Sequence, residues 1–430
     1  MCSSIISEKA QVTMMVRYEI KKVLGRPSGK IALVLFVCVI ILSLWTTIFG
    51  DQYGELVWVN EQGDSEYGFA AHQKLRKAQK EWAGELDEEH LADIIRELNR
   101  IATTPEFQSD DYHQRDIAFH WQMGVKPVRD MLYRTFSPGL QDFNYYIADT
   151  LSPSVASEFY SRRVELLRSY LYKESNTEAS RLSDREKEYL ISQYEKLEGP
   201  IYYDYHMGWY QILNNLTFIM LLGTLILGYL VSGIFSNEFR WKTDAVFYTT
   251  HHGRGRAVSA KIKAGIVLVS VLYWGGVLIC TLFTLCFCGF DGRNCAIQFD
   301  FYRSFYNLTY WETYLFYVIS CYIGTLFMMF LCMWVSAKTK SAVFATTVPF
   351  ILIFVPNFFA NSTLADALSG ILALLPDKML DLFAHLKYFD VYDLGFAVVG
   401  SWPLLFVIYS VLAVVLVPVM YREFRTKQIG

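Results

Sequence analysis

Long runs of apolar residues recur along the chain and predict where it crosses a membrane. A helix that spans about 30 Å of hydrocarbon needs about 20 mostly apolar residues. Runs that meet this requirement lie at 31–50, 210–235, 264–290, 313–336 and 402–420. Residues 342–360 form a further run, fifth in chain order. Its Pro349 and Pro356 are tolerable because neighbouring helices can satisfy the carbonyl groups that proline leaves free. The pattern therefore predicts six membrane helices.

A long polar segment, residues 51–206, separates the first two predicted spans, and we call it the polar module. It contains 18 of the 39 Lys and Arg residues and 29 of the 42 Asp and Glu residues of the chain. Its apolar positions recur at helical spacing, as in residues 70–101, and Ser183 followed by Glu186 has the spacing of a helix capping box. Residues 57–59 favour a short strand. We predict a mainly helical domain whose apolar stripes form its core rather than a cofactor site.

Residues 364–388, between the last two predicted spans, contain two apolar pieces that are each too short to cross a membrane. The pieces, 364–375 and 378–386, meet at Pro376 and Asp377. Such pieces are typical of a re-entrant or interfacial helical hairpin. The predicted fold class is therefore an all-α polytopic membrane protein with six spans, this hairpin and the polar module.

The Lys and Arg residues of the loops predict the orientation, because cytoplasmic loops carry an excess of them. Residues 1–30, residues 236–263, the loop after the fourth span and the tail 421–430 together contain 17 basic residues. The two short loops of the opposite side contain four. We therefore expect a multi-pass protein of the cell membrane with both termini in the cytoplasm and the polar module outside. The first span is expected to remain as an anchor, since its apolar run is longer than that of a signal peptide and no small-residue cleavage site follows it.

Composition and motifs argue against several classes of function. A net charge of −3, without a Lys- and Arg-rich stripe interleaved with aromatic residues, argues against nucleic-acid binding. The sequence has no G-x-x-x-x-G-K-[ST] phosphate loop and no H-E-x-x-H, G-x-S-x-G or C-x-x-C pattern. We therefore predict no catalytic residue, no metal ligand and no cofactor bound by this chain. Whether Cys288 and Cys295, which flank a short outer loop, form a disulfide stays open.

The interiors of the predicted spans contain no charged residue. Carriers and pumps driven by ions usually keep intramembrane Asp, Glu, Lys or Arg as coupling groups. The absence of such residues from the predicted spans favours a transport process whose energy comes from outside the membrane.

The segment before the first span is a candidate for contact with a partner. Residues 11–24 predict an amphipathic helix with Arg17, Lys21 and Lys22 on its polar face, able to lie in the plane of the lipid headgroups. Glu19 falls on the apolar face. A membrane anchor would not place a carboxylate there, whereas a helix docked on protein could use one.

The segment between the second and third spans, 236–263, is longer than a tight turn needs. We predict a helix over 238–248, a turn that contains glycine, and a basic helix that leads into the third span. The alternative is a solvated loop whose basic residues reflect only its cytoplasmic location, as the positive-inside rule describes.

These two segments resemble parts of the permease subunits of type-2 ABC exporters, the ABC-2 family. The sequence R-Y-E-I-K-K before the first span is similar to that family's interface helix, and F-S-N-E-F-R-W-K-T-D followed by T-T-H-H-G-R-G-R-A-V-S-A-K is similar to its coupling segment. Six spans with an outer hairpin before the last also match, so the resemblance covers the whole membrane part of the chain. His252 and Gly253 stand where family members often have proline before the arginine, and many members lack a domain after the first span.

The resemblance implies a permease that is energised by a separate ABC-type ATPase subunit, to which ATP and magnesium bind. Two permeases, identical or related, would assemble with two ATPases around a path for the substrate. The residues implied to contact the ATPase are Glu238, Arg240, Thr243, Asp244, Arg254, Arg256 and Lys261, with Arg17, Glu19, Lys21 and Lys22 on the interface helix.

We therefore expect a permease subunit, surrounded by membrane lipid, that exports an amphipathic peptide or a lipid-like molecule. The main alternative is an external binding or signalling protein anchored by a helical bundle that transports nothing. A membrane enzyme or a secondary carrier would need a polar constellation inside the spans. Four-span permeases with an external domain after the first span have too few helices to match.

Overall fold

The computed structural model describes residues 2–49, 58–174, 176–197, 199–243, 253–359 and 372–426. Within these ranges the chain is mostly helical, as predicted, with three two-stranded antiparallel ladders. At the N-terminus, α1 (Cys2–Leu24) runs almost directly into α2 (Pro27–Phe49). The joint between them requires glycine at position 29, because a Cβ atom on Gly29 would lie 2.0 Å from the carbonyl oxygen of Val23.

The polar module consists of short helices and two small ladders. Its helices are α3 (Phe69–Lys80), α4 (Glu88–Ala102), α5 (Pro105–Gln108), α6 (Tyr112–Gln122), α7 (Lys126–Phe136), α8 (Phe159–Leu171) and α9 (Asp184–Glu195), with 3₁₀ turns at Ile147–Thr150, Pro153–Glu158 and Ala179–Arg181. Its strands pair as β1 (Trp58–Val59) with β2 (Ser65–Glu66) and as β3 (Gly84–Glu85) with β4 (Tyr202–Tyr203). The strand predicted at 57–59 is confirmed for Trp58 and Val59.

The core of the polar module comes from the predicted helical stripes. In α4, Leu91, Ile94 and Leu98 are fully buried. Each such side chain stabilises the fold by about 1.5–3 kcal/mol relative to its exposed state. The capping box predicted from Ser183 and Glu186 is present at the start of α9.

The second part of the chain carries most of the long helices. In chain order its elements are α10 (Met207–Arg240), α11 (Val258–Cys288), α12 (Tyr310–Thr339), α13 (Ala342–Phe359), α14 (Pro376–Leu380), α15 (Leu382–Lys387), β5 (Val391–Asp393), β6 (Val398–Gly400) and α16 (Ser401–Thr426), with a π turn at Gly253–Ala257 and a 3₁₀ turn at Ile297–Phe299. The two strands β5 and β6 pair with each other.

Five helices among the described residues, α2, α10, α11, α12 and α16, are long and apolar enough to cross a membrane, which suggests a multi-pass membrane protein. Of these, α10 and α12 form the centre of the bundle. In each of them 61% of the most apolar window is buried inside the protein, compared with 22% in α16.

The remaining predicted span corresponds to α13, which has 18 residues and contains Pro349 and Pro356. Its apolar part is shorter than those of the other five helices. Residues 360–371, which follow it, lie outside the described residues. That α13 crosses the membrane therefore stays a prediction.

The predicted hairpin is described only in part. Its first piece, 364–375, lies mostly outside the described residues; residues 373–375 form a turn, and Pro376 begins α14. Proline is favoured in the first turn of a helix, where its missing N–H is not needed. A further break, within the second predicted piece, falls at Asp381, whose side chain caps α15. The hydroxyl of Tyr317 in α12 donates to the carbonyl of Leu380 at 2.8 Å, so α14 packs directly on a long helix of the bundle.

The polar module is fixed to one end of the bundle by ion pairs with two of its connecting segments. Asp291 pairs with Arg76 and Lys80 at 2.5 Å each, Arg303 with Glu178 at 2.9 Å, and Arg185 with Asp393 at 2.9 Å. Asp291 and Arg303 lie between α11 and α12, and Asp393 lies in β5. Because the pairs are distributed along the module, they hold it against this end at several points. We call this the module end.

The two cysteines whose pairing stayed open do not form a disulfide with each other. The Sγ of Cys288 lies 3.8 Å from Nε2 of His72, and the Sγ of Cys295 lies 3.5 Å from the carbonyl oxygen of Asp204. Each thiol thus contacts a different part of the polar module.

His206, the last residue before α10, joins the module to the loop between α11 and α12. Its ring stacks between Phe299 and Tyr310, with centroid distances of 5.2 and 5.1 Å. Its Nε2 lies 3.4 Å from a carboxylate oxygen of Asp300, and its Nδ1 lies 2.9 Å from the carbonyl oxygen of Asp204. Burial alone would lower the pKa of His206, but the hydrogen bond and charge of Asp300 raise it to about 10.

The module also contains a buried ion pair. The side chains of Arg129 in α7 and Asp149 are each 2% exposed. Arg129 Nε donates to Asp149 at 2.8 Å, and its Nη2 donates to the carbonyl of Tyr145 at 3.1 Å. A buried pair of this kind is costly to break, since the remaining charge is left without a partner.

We predict that protonated His206 stabilises the fold below its folded-state pKa. An unfolded histidine titrates near pH 6.5, so the contribution is complete below that pH and is lost as the pH rises towards 10. The loss is at most about 1.4 kcal/mol per pH unit. Thermal melting of the detergent-purified chain between pH 6.5 and 10 should show a steeper decline for the wild type than for His206→Asn. Equal slopes would contradict the assignment.

Replacing Arg129 by Met should destabilise the module by about 3–5 kcal/mol, because it leaves the carboxylate of Asp149 buried and unpaired. The matched control is Arg100→Met. Arg100 pairs with Glu97 on the surface, where its side chain is 62% exposed, and such pairs contribute about 0–1 kcal/mol. Thermal unfolding followed by limited proteolysis of the full chain measures both variants, and similar melting temperatures would contradict the prediction.

Candidate functional site

The candidate site lies at the end of the bundle opposite the polar module, where α1, the last turn of α10 and the first turn of α11 meet. We call it the basic end. Three of the residues that the resemblance selected lie at its centre: Glu19 of α1, Glu238 of α10 and Lys261 of α11. A fourth, Lys22 of α1, closes the group.

Lys261 is the most deeply buried charge of this group, with a side-chain exposure of 0%. Its ammonium group donates to Glu238 at 2.8 Å, to Glu19 at 3.1 Å and to the backbone carbonyl of Ile234 at 3.1 Å. A lysine ammonium has three N–H groups, and these three acceptors use all of them. The charge is therefore satisfied without water.

Glu238 is the shared acceptor of the group, and its side chain is 7% exposed. It accepts hydrogen bonds from Lys22, from Lys261 and from the hydroxyl of Thr243, the last at 2.8 Å. The backbone N–H of Thr243 also donates to the Glu238 carbonyl at 2.9 Å, and Lys242 between them is left-handed with φ +56°. The carboxylate thus fixes both the neighbouring helices and the point at which α10 ends.

The position of Glu19 now has a physical explanation. The sequence places it on the apolar face of α1, and that face packs on α10 and α11, where Glu19 meets Lys261. Burying an ion pair costs several kcal/mol of lost hydration for each charge, so it persists only with good hydrogen-bonding geometry. Two carboxylates and two ammonium groups in mutual contact meet this requirement.

The other residues selected by resemblance lie around this centre. Arg17, Lys21 and Arg240 are exposed, and Arg256 Nη1 donates to Gln11 Oε1 at 3.4 Å. The residue Asp244 and the side chain of Arg254 lie outside the described part of the chain. The predicted helix over 238–248 is present only as far as Arg240, where α10 ends, and residues 244–248 fall outside the described ranges.

Sequence reasoning missed Arg26 and Trp241. The guanidinium of Arg26 lies 4.4 Å from the centroid of the Trp241 ring, between α1 and the end of α10. The sequence did indicate the position of Arg26. A residue between Gly25 and Pro27 is expected at the joint between two helices, where it can contact the neighbouring helix.

A shallow groove of about 250 Å³ runs along the basic end between α1 and the start of α11. Its lining consists of Met14, Met15, Tyr18, Glu19, Ala257 and Ala260. Met14 and Tyr18 are 70% and 68% exposed. Apolar side chains exposed beside a groove are typical of a surface that contacts another molecule.

The polar module carries a second, larger cleft of about 710 Å³. Trp58, Trp82 and Trp121 contribute to its lining, together with Lys and Glu side chains from α3 and from the segment after β1. Its volume lies in the range of about 300–1,000 Å³ that is typical of small-ligand sites, but most of its lining residues are polar or charged, whereas such sites are mainly apolar.

Comparisons of the chain with protein-family models, with curated proteins and with solved structures gave no match.

The contacts of Lys261 predict a large effect for Lys261→Met. The change leaves Glu19 and Glu238 close together with only Lys22 to balance them, and breaking a buried ion pair costs about 3–5 kcal/mol. Thermal melting of the purified chain should show the loss. Lys263→Met, at an exposed position two residues further on, should change the melting temperature little.

Combining Lys261→Met with Glu238→Gln should cost less than the sum of the two single changes, because the second change removes a carboxylate that the first leaves without its partner. Additive losses, or an equal loss from Lys263→Met, would show that Lys261 does not act as a buried bridge.

Proposed function

We propose that this chain is the permease subunit of an ATP-driven exporter of the ABC-2 type, energised by a separate ATPase subunit. The observation that carries the proposal is the bridge from Lys261 to both Glu19 and Glu238. It ties α1, α10 and α11 into one unit at the end where an ATPase would act. The resemblance of the two segments that contain these residues to the interface helix and coupling segment of that family supports the assignment.

The mechanism follows from how force passes through the bridge. An ATPase that pushes on α1 would move α10 through Glu238 and α11 through Lys261, because the ion pairs prevent α1 from sliding over them. The two long helices then act as levers that reach the opposite end of the bundle. The groove with Met14 and Tyr18 provides an exposed surface for the ATPase. ATP and magnesium would bind on that partner.

The proposed substrate is an amphipathic peptide or a lipid-like molecule, carried by a pair of identical or related permeases. The apolar character of the five long helices supports this class, since a strongly charged substrate would need polar partners along its path.

A membrane-anchored binding or signalling protein is the second candidate. The cleft of about 710 Å³ in the polar module favours it, because a ligand site of that size needs no transport activity to be useful. The two candidates differ in whether an ATPase accompanies the chain.

Purification of the tagged chain from its native membrane should recover an ATPase subunit at near-equal stoichiometry by mass spectrometry. Arg256→Glu should reduce ATPase binding and substrate-stimulated ATP hydrolysis by about ten-fold or more, because reversing an interfacial charge costs about 1.4 kcal/mol or more. Its melting temperature should stay close to that of the wild type.

Arg425→Glu is the matched control, because it makes the same change at an exposed position in the last turn of α16. Glu238→Lys is a poor test, since it would add a third cation to a buried group and lower stability as well. Recovery of the chain without an ATPase, or transport by the isolated chain, would overturn the proposal in favour of the second candidate.

A further inference from the structure

A narrow crevice of about 80 Å³ opens at the basic end. It lies where α2 begins, α10 ends and α13 begins. The polar or helix-end residues that line it are Arg26, Ser28, Gly29, Asn237, Arg240 and Ala342.

Two guanidinium groups meet at this crevice without a carboxylate partner of their own among the described residues. Arg26 lies over the ring of Trp241, and its Nε is buried with no hydrogen-bond partner there. Burial lowers the pKa of Arg26, whereas the negative charges of Glu19 and Glu238 raise it. The positive charge of Arg240 lowers it further. Both arginines line the same crevice.

The charge balance of the basic end favours an anion in this position. The carboxylates of Glu19 and Glu238 are engaged by the ammonium groups of Lys22 and Lys261. Arg26 and Arg240 add two positive charges, and no described carboxylate forms an ion pair with either of them. Two adjacent cations are stabilised by an anion bound between them.

Helix ends of both signs meet at the crevice. Ser28 and Gly29 lie in the first turn of α2 and Ala342 is the first residue of α13, whereas α1 and α10 end beside it. The first N–H groups of a helix have no acceptor within it, and the helix dipole makes this end positive. The helix N-termini offer N–H donors, and the net positive charge comes from the two arginines, which can bind phosphate in bidentate geometry.

We propose that Arg26 and Arg240 bind a phosphate group in this crevice and that the group belongs to the headgroup of an anionic phospholipid. The lipid source follows from position: the crevice lies where two candidate membrane spans begin and end, at the depth of the headgroups. Basic pockets between membrane helices bind anionic lipid headgroups by this chemistry. The bound lipid would seal the joint between α2, α10 and α13. The inference does not require a partner ATPase.

The test uses the full chain, purified in detergent and freed of lipid. Dioctanoyl phosphatidylglycerol should raise its melting temperature in a saturable manner and should appear as a bound adduct in native mass spectrometry. Dioctanoylglycerol, which has the same acyl chains but no phosphate, should do neither. An equal shift from dioctanoylglycerol would overturn the proposal. A full shift from inorganic phosphate alone would overturn the lipid source.

The variant R26Q/R240Q should weaken phosphatidylglycerol binding by about ten-fold or more, as expected when charged hydrogen bonds are lost. The matched control is R422Q/R425Q, which removes two exposed arginines at the same end of the bundle. Undiminished binding by R26Q/R240Q, or equal weakening in the control, would overturn the assignment. If the double variant fails to fold, Arg240→Gln alone at its exposed position should still weaken binding severalfold, and unchanged binding there would also overturn it.

Discussion

A lysine ammonium with no exposure to water is the constraint on which the basic end of this protein depends. Lys261 cannot remain charged in that position unless oxygen atoms replace its hydration, and the structure supplies three of them from two different helices. Two of the three belong to Glu19 and Glu238, which come from distant parts of the sequence. The N-terminal helix is thereby part of the bundle rather than an appendage on the membrane surface.

The two ends of the bundle are held by different kinds of electrostatic contact. At the module end, partly exposed pairs such as Arg185 with Asp393 are distributed over several loops, and each contributes little by itself. At the basic end, a few charges are concentrated and nearly dry. A displacement at the basic end therefore acts on one compact charged joint, whereas the polar module is held by several partly exposed ion pairs together with the buried contact of His206 with Asp300 and apolar packing.

The sequence predicted the long helices and the module helices well, because apolar runs and helical stripes are local features. It also placed Glu19, Lys22, Glu238, Thr243 and Lys261 among the residues of interest. It could not show that they contact one another, since the separation of Glu19 from Lys261 along the chain carries no distance information. Arg26 and Trp241 escaped notice for the same reason: their contact exists only after α1 has docked on α10. The additional break at Asp381, inside the second hairpin piece, was not foreseen, because the apolar pattern continues through it and the cap depends on a single carboxylate.

The excess of basic residues that predicts orientation includes side chains in three physically different situations. Lys22 and Lys261 form ion pairs that are buried or partly buried. Arg26 and Arg240 line a crevice and have no carboxylate partner among the described residues. Other basic residues, such as Arg425, are exposed to solvent. Counting charges treats all of them alike. Their hydration differs, however. Of the three groups, the pair Arg26 and Arg240 combines partial burial with an unbalanced positive charge, which an external anion can neutralise. Orientation in the membrane and recognition of its lipids thus draw on different members of one set of charges.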